Sequence, residues 1–263
     1  MLGVIVNEKE QCEKALNNNE LPTRPMKIIR LIIKKYLSEG KSKDKVYELI
    51  DSFMEKSYEG YNKNKWKNIL MKAIEDIKEY NNLELIDINR IIITKVEWDK
   101  ILELDNSQLE RLAFALLCYQ KVNEIKNPLS NGWINVDLSN VFKEAKIQRG
   151  DETKKLLFEL KKKEYISLKN SCDSSSIKIN YNIKDEDLIT IDSLKDNDII
   201  TYYYELTTDK KYKKCSNCGK RFELKTVNSN QVYCQTCAKK IQQQQKNEWK
   251  KRNKEKNVKH SQP

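Results

Sequence analysis

Residues 133–183, WINVDLSNVFKEAKIQRGDETKKLLFELKKKEYISLKNSCDSSSIKINYNI, carry the pattern on which the fold turns. Trp133–Val136 reads as a short strand. Asp137 can cap a helix whose Leu138, Val141, Phe142 and Ala145 share one face. A tight connection at 147–150 leads to a further helix through Lys163, with Leu156, Leu157 and Leu160 inward. Tyr165–Leu168 and the alternating Ile177, Ile179, Tyr181 and Ile183 then predict a hairpin around a polar turn at 170–175.

Upstream, Ser107-Gln-Leu-Glu110 has the spacing of a capping box. It opens the most apolar helix of the chain, with Leu109, Leu112, Ala113, Leu116 and Leu117 inward and Cys118 packing as a small hydrophobe. Helix, strand, helix, turn, helix, hairpin is the order of a winged helix-turn-helix domain, assigned to 105–183. The outward face of its third helix presents Asp151, Lys155, Phe158 and Lys162, with Lys154 and Lys161 alongside, where a recognition helix places cations near phosphates. Lys169 and Lys178 flank the turn that would form the wing. Two plainer readings stand beside this one. A helix ending in three lysines also describes a solvated end complementing its dipole, and Phe158 would equally suit a protein partner.

On the N-terminal side, Ile29, Ile32, Ile33 and Tyr36 form one helical stripe. Val46, Leu49, Ile50 and Phe53 form a second, and Trp66, Ile69, Leu70, Ala73 and Ile77 a third. These stripes need one another for burial, and a helical domain is assigned to 1–104. Arg90–Ile93 reads as a strand, followed by a capping box at Thr94 and Glu97. On the other side, the acidic stretch 184–206 reads as a solvated linker. Mainly α, with a winged helix in the middle and a finger at the C-terminal end, is the expected fold class.

That finger, 207–263, carries Cys215-Ser-Asn-Cys218 and, fifteen residues on, Cys234-Gln-Thr-Cys237. Two C-x-x-C pairs at this separation match a four-thiolate zinc site. Gly219 supplies the backbone angle that a knuckle wants, and Phe222–Leu224 with Gln231–Tyr233 would pair as a hairpin. The second pair would open a helix, giving a layout closer to a treble clef than to a ribbon. Four sulfurs leave no position for water, so one Zn²⁺ would be structural.

Charge points to the partner. From Thr207 to Pro263 there are 16 Lys/Arg and 4 Asp/Glu, a net of +12, while the other 206 residues hold 34 basic and 35 acidic groups. A field localised in this way attracts polyanions, nucleic acid being the commonest. Lys220, Arg221, Lys239, Lys240, Lys250, Lys251 and Arg252 are candidate phosphate contacts, and Trp249 could stack on a base. A disordered solubilising tail is the bland alternative.

Composition removes most enzyme plans. The only histidine is His260, which excludes a Ser-His-Asp centre and histidine-rich metal sites. Six glycines, none at a phosphate-loop spacing, exclude the Walker and dinucleotide fingerprints. No small-molecule substrate is therefore expected. MLGVIV at the start is too short for a signal peptide and no run reaches a membrane span, so a cytoplasmic location with reduced thiols is expected.

RLAFALLCYQK (111–121), WINVDLSNVFKEAKI (133–147), LLFELKKKEYI (156–166) and the double C-x-x-C together resemble a group of phage and prophage proteins from low-GC Gram-positive bacteria. The resemblance spans roughly 90–245 and implies a mobile-element context in a host cytoplasm, with no catalytic residue. Together these features lead to the expectation of a non-enzymatic nucleic-acid-binding protein, with DNA favoured over RNA. The alternative is an interaction module that inhibits a host nucleic-acid machine or defence effector.

Overall fold

The structure, a computed structural model, describes residues 7–79, 83–127, 130–148, 150, 152–169, 176–192, 194, 198–226 and 229–259, with no side chains at 152 and 251–259. It divides into two units, Val4–Asn89 and Arg90–Pro263. Among the described residues are ten helices and three small antiparallel sheets.

The first unit holds α1 (Glu8–Asn18), α2 (Met26–Ser38), α3 (Lys43–Ser57) and α4 (Lys63–Lys78). Asn7, Ser42 and Asn62 cap α1, α3 and α4, each side chain accepting a backbone N–H three residues on. Helix α2 packs against the other three, and Ile29, Ile32, Ile33, Ile50, Met54, Leu70 and Ile74 are fully buried. The expected third stripe is rotated slightly, so that Ile74 faces inward and Ile69 is 48% exposed. Glu8 is buried as an ion pair with Lys34 at 3.1 Å and also accepts the Ile86 N–H.

The second unit is built around α6 (Ser107–Lys126). Eleven of its residues from Leu109 to Val122 are buried, on every side of the helix, as expected for a helix at the centre of a core. Around it stand β1 (Ile91–Thr94), α5 (Lys95–Leu102), β2 (Trp133–Asn135), α7 (Leu138–Glu144), α8 (Glu152–Lys162), β3 (Ile166–Leu168) and β4 (Ser176–Ile179). Asp137 caps α7 by accepting from Ser139 N–H, as its position in the sequence predicts. The three strands β2, β4 and β3 form one sheet in that order, with Ile134 opposite Ile177 and Ile166 opposite Ile179. Gln120 ties this sheet to α6 by accepting the Ile179 N–H at 2.8 Å. The turn at 170–175 lies outside the described residues, as do Asp151 and Cys172.

Three expectations are corrected. The acidic stretch 184–206 is not a solvated linker: it contains β5 (Asp187–Ile191) and most of α9 (Ile199–Thr207). β5 pairs antiparallel with β1, bringing Ile191 and Ile189 opposite Ile91 and Ile93, all four buried. Helix α9 buries Ile199, Ile200, Tyr202 and Tyr203, and Tyr203 joins Trp98 and Phe114 in an aromatic cluster with centroids about 6 Å apart. The expected boundary at 104/105 therefore gives way to a division at 89/90, because β1 and α5 pack with the second unit. Finally, Ser107 does not cap α6. Asn106 does, accepting from Gln108 and Leu109 N–H, and Glu110 is occupied by the Tyr203 hydroxyl at 2.6 Å.

No helix among the described residues is long and apolar enough to cross a membrane.

Candidate metal centre

Strands β6 (Tyr212–Lys214) and β7 (Arg221–Glu223) pair with Lys214 opposite Arg221, and the first cysteine pair sits on the turn between them. The turn is closed by Gly219 N–H donating to the Cys215 carbonyl at 2.8 Å and by Cys215 N–H donating to Lys220 O at 2.9 Å. Gly219 adopts φ +68°, a left-handed angle that a side chain would strain, so its place after the second cysteine has a conformational reason. Ser216 N–H reaches across to Val232 O at 2.9 Å and draws in the segment carrying the second pair. Cys234 immediately precedes α10 (Gln235–Lys259), and Cys237 falls in its first turn.

The expected pairing of Phe222–Leu224 with Gln231–Tyr233 is not found. β7 is taken by β6 instead, with Phe222 opposite Lys213, and 231–233 are not in a strand.

All four sulfurs of Cys215, Cys218, Cys234 and Cys237 lie within 4.8 Å of one another and could hold one metal ion. A tetrahedral ion with metal–sulfur bonds of ~2.3 Å requires sulfur–sulfur edges of ~3.8 Å. The Cys218 and Cys234 sulfurs stand 3.9 Å apart, so that edge already has the length a tetrahedral ion requires. Asn217 Nδ2 donates to Cys237 Sγ at 3.3 Å. Burial works to raise the Cys215 thiol, but backbone N–H groups of Cys234, Cys218 and Asn217 outweigh it and bring it down to about 6. Cys218 moves the other way, up to about 11: the Lys220 N–H lowers it, while burial and the three neighbouring thiols raise it more. Four thiolates this close repel one another, and a bound cation removes that repulsion.

The cluster is fixed to the body by Arg221. Its backbone N–H donates to Asp198 Oδ2 at 3.0 Å, its Nε to Thr201 Oγ1 at 2.8 Å, and its guanidinium pairs with Glu205. The same group lies over the Tyr202 ring at 3.9 Å. Arg221 was expected to face nucleic acid; with its side chain 10% exposed and these donors engaged, it serves as an anchor to α9 instead. Asp198, Thr201 and Glu205 were missed as its partners, although Thr201 and Glu205 stand four apart on the side of α9 opposite Tyr203. Lys214 adds a second tie to Asp192 at 2.6 Å, half-exposed and correspondingly weak. Replacing Arg221 with Ala should destabilise the finger's attachment by about 2 kcal/mol while leaving one metal bound per chain. Hydrogen exchange at β6 and β7 beside a metal assay would check this, and unchanged exchange would refute the anchor.

The remaining candidate contacts fall on several elements. Lys154, Lys155, Lys161 and Lys162 are exposed on α8, and Phe158 beside them is 55% exposed. Lys169 is exposed after β3, whereas Lys178 is half-buried in the middle strand β4. Lys220 is exposed at the knuckle. Lys239, Lys240, Lys246, Trp249 and Lys250 are exposed along α10; the side chains of Lys251 and Arg252, on the same helix, lie outside the described residues. The cysteines come together in one place, while the cations remain distributed over α8, the knuckle and α10. Comparison with protein-family models, with curated proteins and with solved structures returns no match.

Proposed function

We propose that this chain is a non-enzymatic nucleic-acid-binding protein acting on duplex DNA, in a regulatory or replication-associated role on a phage or prophage, with one structural Zn²⁺ in the four-cysteine site. The observation that carries the reading is α10. From Gln242 to Lys250 every side chain is exposed, and the helix starts directly from the cysteine cluster. A cationic helix held at one end by a metal site and wetted along its length suits a phosphate backbone. The all-thiolate donor set favours zinc over hard cations such as calcium or magnesium.

The central elements support a winged-helix reading. Helices α6, α7 and α8 pack with a three-stranded antiparallel sheet in the order β2-β4-β3, in which β2, the strand between the first two helices, joins the β3–β4 hairpin that follows the third. On this reading α8 is the recognition helix and offers Lys154, Lys155, Lys161 and Lys162 to the groove and its phosphates. Phe158, exposed among them, favours the second reading, a module that docks on a host nucleic-acid machine or defence effector.

The test is fluorescence anisotropy of the zinc-loaded full chain on random duplex DNA across a salt series. Binding is expected to fall steeply with salt, and Lys246→Glu with Lys250→Glu to weaken it about tenfold and flatten the slope by roughly 2. Lys155→Glu with Lys162→Glu tests α8 separately. Absence of duplex binding at low salt would overturn the DNA reading, and a host-protein complex that survives nuclease would establish the second.

A further inference from the structure

Trp249 is the most exposed large apolar side chain among the described residues, at 62% accessible. An indole is costly to leave in water, and its neighbours indicate what would cover it. Gln242, Gln245 and Lys246 precede it by seven, four and three residues, so a 3.6-residue repeat puts all four on one face over about 10 Å of α10. Together they line a single shallow concavity.

We infer that this face of α10 is a stacking site for an unpaired nucleotide base, so that the chain holds single-stranded nucleic acid by contacts it does not make to duplex. The inference rests on the nucleic-acid reading above and narrows it. The indole supplies a flat surface for a base. The Gln242 and Gln245 amides each carry a donor and an acceptor, which can meet the edge of any base. Lys246 beside the ring and Lys250 one residue beyond it provide cations for the flanking phosphates. From Lys239 to Lys259 there are nine Lys/Arg against Glu248 and Glu255, a charge complement to a polyanion.

Base faces are covered by their neighbours in a duplex, so Trp249 gains nothing there and only the lysines act. A protein hot spot would surround the indole with apolar side chains, whereas here it is surrounded by two amides and an ammonium. A membrane surface would need a continuous apolar stripe, and Ile241 is the nearest aliphatic residue.

The experiment measures affinity of the zinc-loaded full chain for labelled oligo(dT) of about 12 nucleotides and for a duplex of the same length. Trp249→Ala is expected to weaken oligo(dT) binding about tenfold and to leave duplex binding within about twofold. Trp249→Phe, which keeps a stacking face, is expected to recover most of the loss. Equal losses on both ligands, or none on oligo(dT), would overturn the stacking site and assign the indole to another occupant such as a protein surface. A wild-type chain that binds duplex but no single strand overturns this inference and leaves the proposed function standing. One that binds neither overturns both.

Discussion

Stripping the metal from the four-cysteine site is expected to unfold the finger while the rest of the second unit stays folded. The reason lies in what the finger buries. Among the described residues after Thr207, only Cys215 and Cys237 are buried, so the four-cysteine cluster, with the ion proposed for it, would be the whole of its core. Strands β6 and β7 are three residues each, and a two-stranded ribbon of that size does not hold in water without further packing. A structural zinc site contributes roughly 10–16 kcal/mol of apparent binding free energy, which in a module of this kind is folding free energy. Loss of the ion also removes the fixed start of α10, whose Gln- and Lys-rich sequence has no apolar face to pack.

Hydrogen exchange with and without a strong chelator measures this directly. Protection should vanish at Cys215, Gly219 and Leu224, whose amides are bonded within the finger, and persist along α6. Cys237→Ser should reproduce the effect without chelator. If protection at those amides survives in a chain shown by mass to have lost its metal, the site is not the core of the finger.

The contrast between what could be read from the chain and what could not follows from the range of the interactions. The cysteine site was legible because its spacing is local: two residues between sulfurs and a glycine after the pair determine the knuckle. Strand β2, the Asp137 cap and the β3–β4 hairpin were legible for the same reason, since period and cap lie within a few residues of each other. The pairing of β1 with β5 was not. Ile189 and Ile191 alternate with Leu188 and Thr190 inside a run of acidic residues, and the partner strand lies about a hundred positions earlier. Composition suggested a linker there, and long-range burial decided otherwise. Arg221 is the corresponding case in the site. In sequence it is one cation among many, and only the fold brings Thr201, Tyr202 and Glu205 around it. Exposed lysines carry no such constraint, which is why their role rests on binding experiments.

Glu97→Ala should be the most damaging single substitution in the body of the second unit, at about 4 kcal/mol. Glu97 is fully buried, and all it does is hold other groups in place. Its carboxylate pairs with Lys121 of α6 at 2.6 Å, accepts Thr94 N–H at 2.9 Å as the second half of the capping box, and accepts Ile183 N–H at 3.0 Å. Thr94 Oγ1 completes the ring by donating to Ile183 O at 3.1 Å. One side chain thus closes the start of α5, the end of β1, the segment following β4 and the C-terminal half of α6. Alanine leaves two backbone N–H groups without acceptors and strands an ammonium that is only 16% exposed. Because the chain has two units, the cost is best read from exchange of α6 amides rather than from one global transition. Adding Lys121→Met to Glu97→Ala should then recover about 1–2 kcal/mol, since the stranded charge is gone while the lost acceptors are not. A Glu97→Ala cost below about 1 kcal/mol, the value of an exposed pair, would mean that this carboxylate does not hold the unit together.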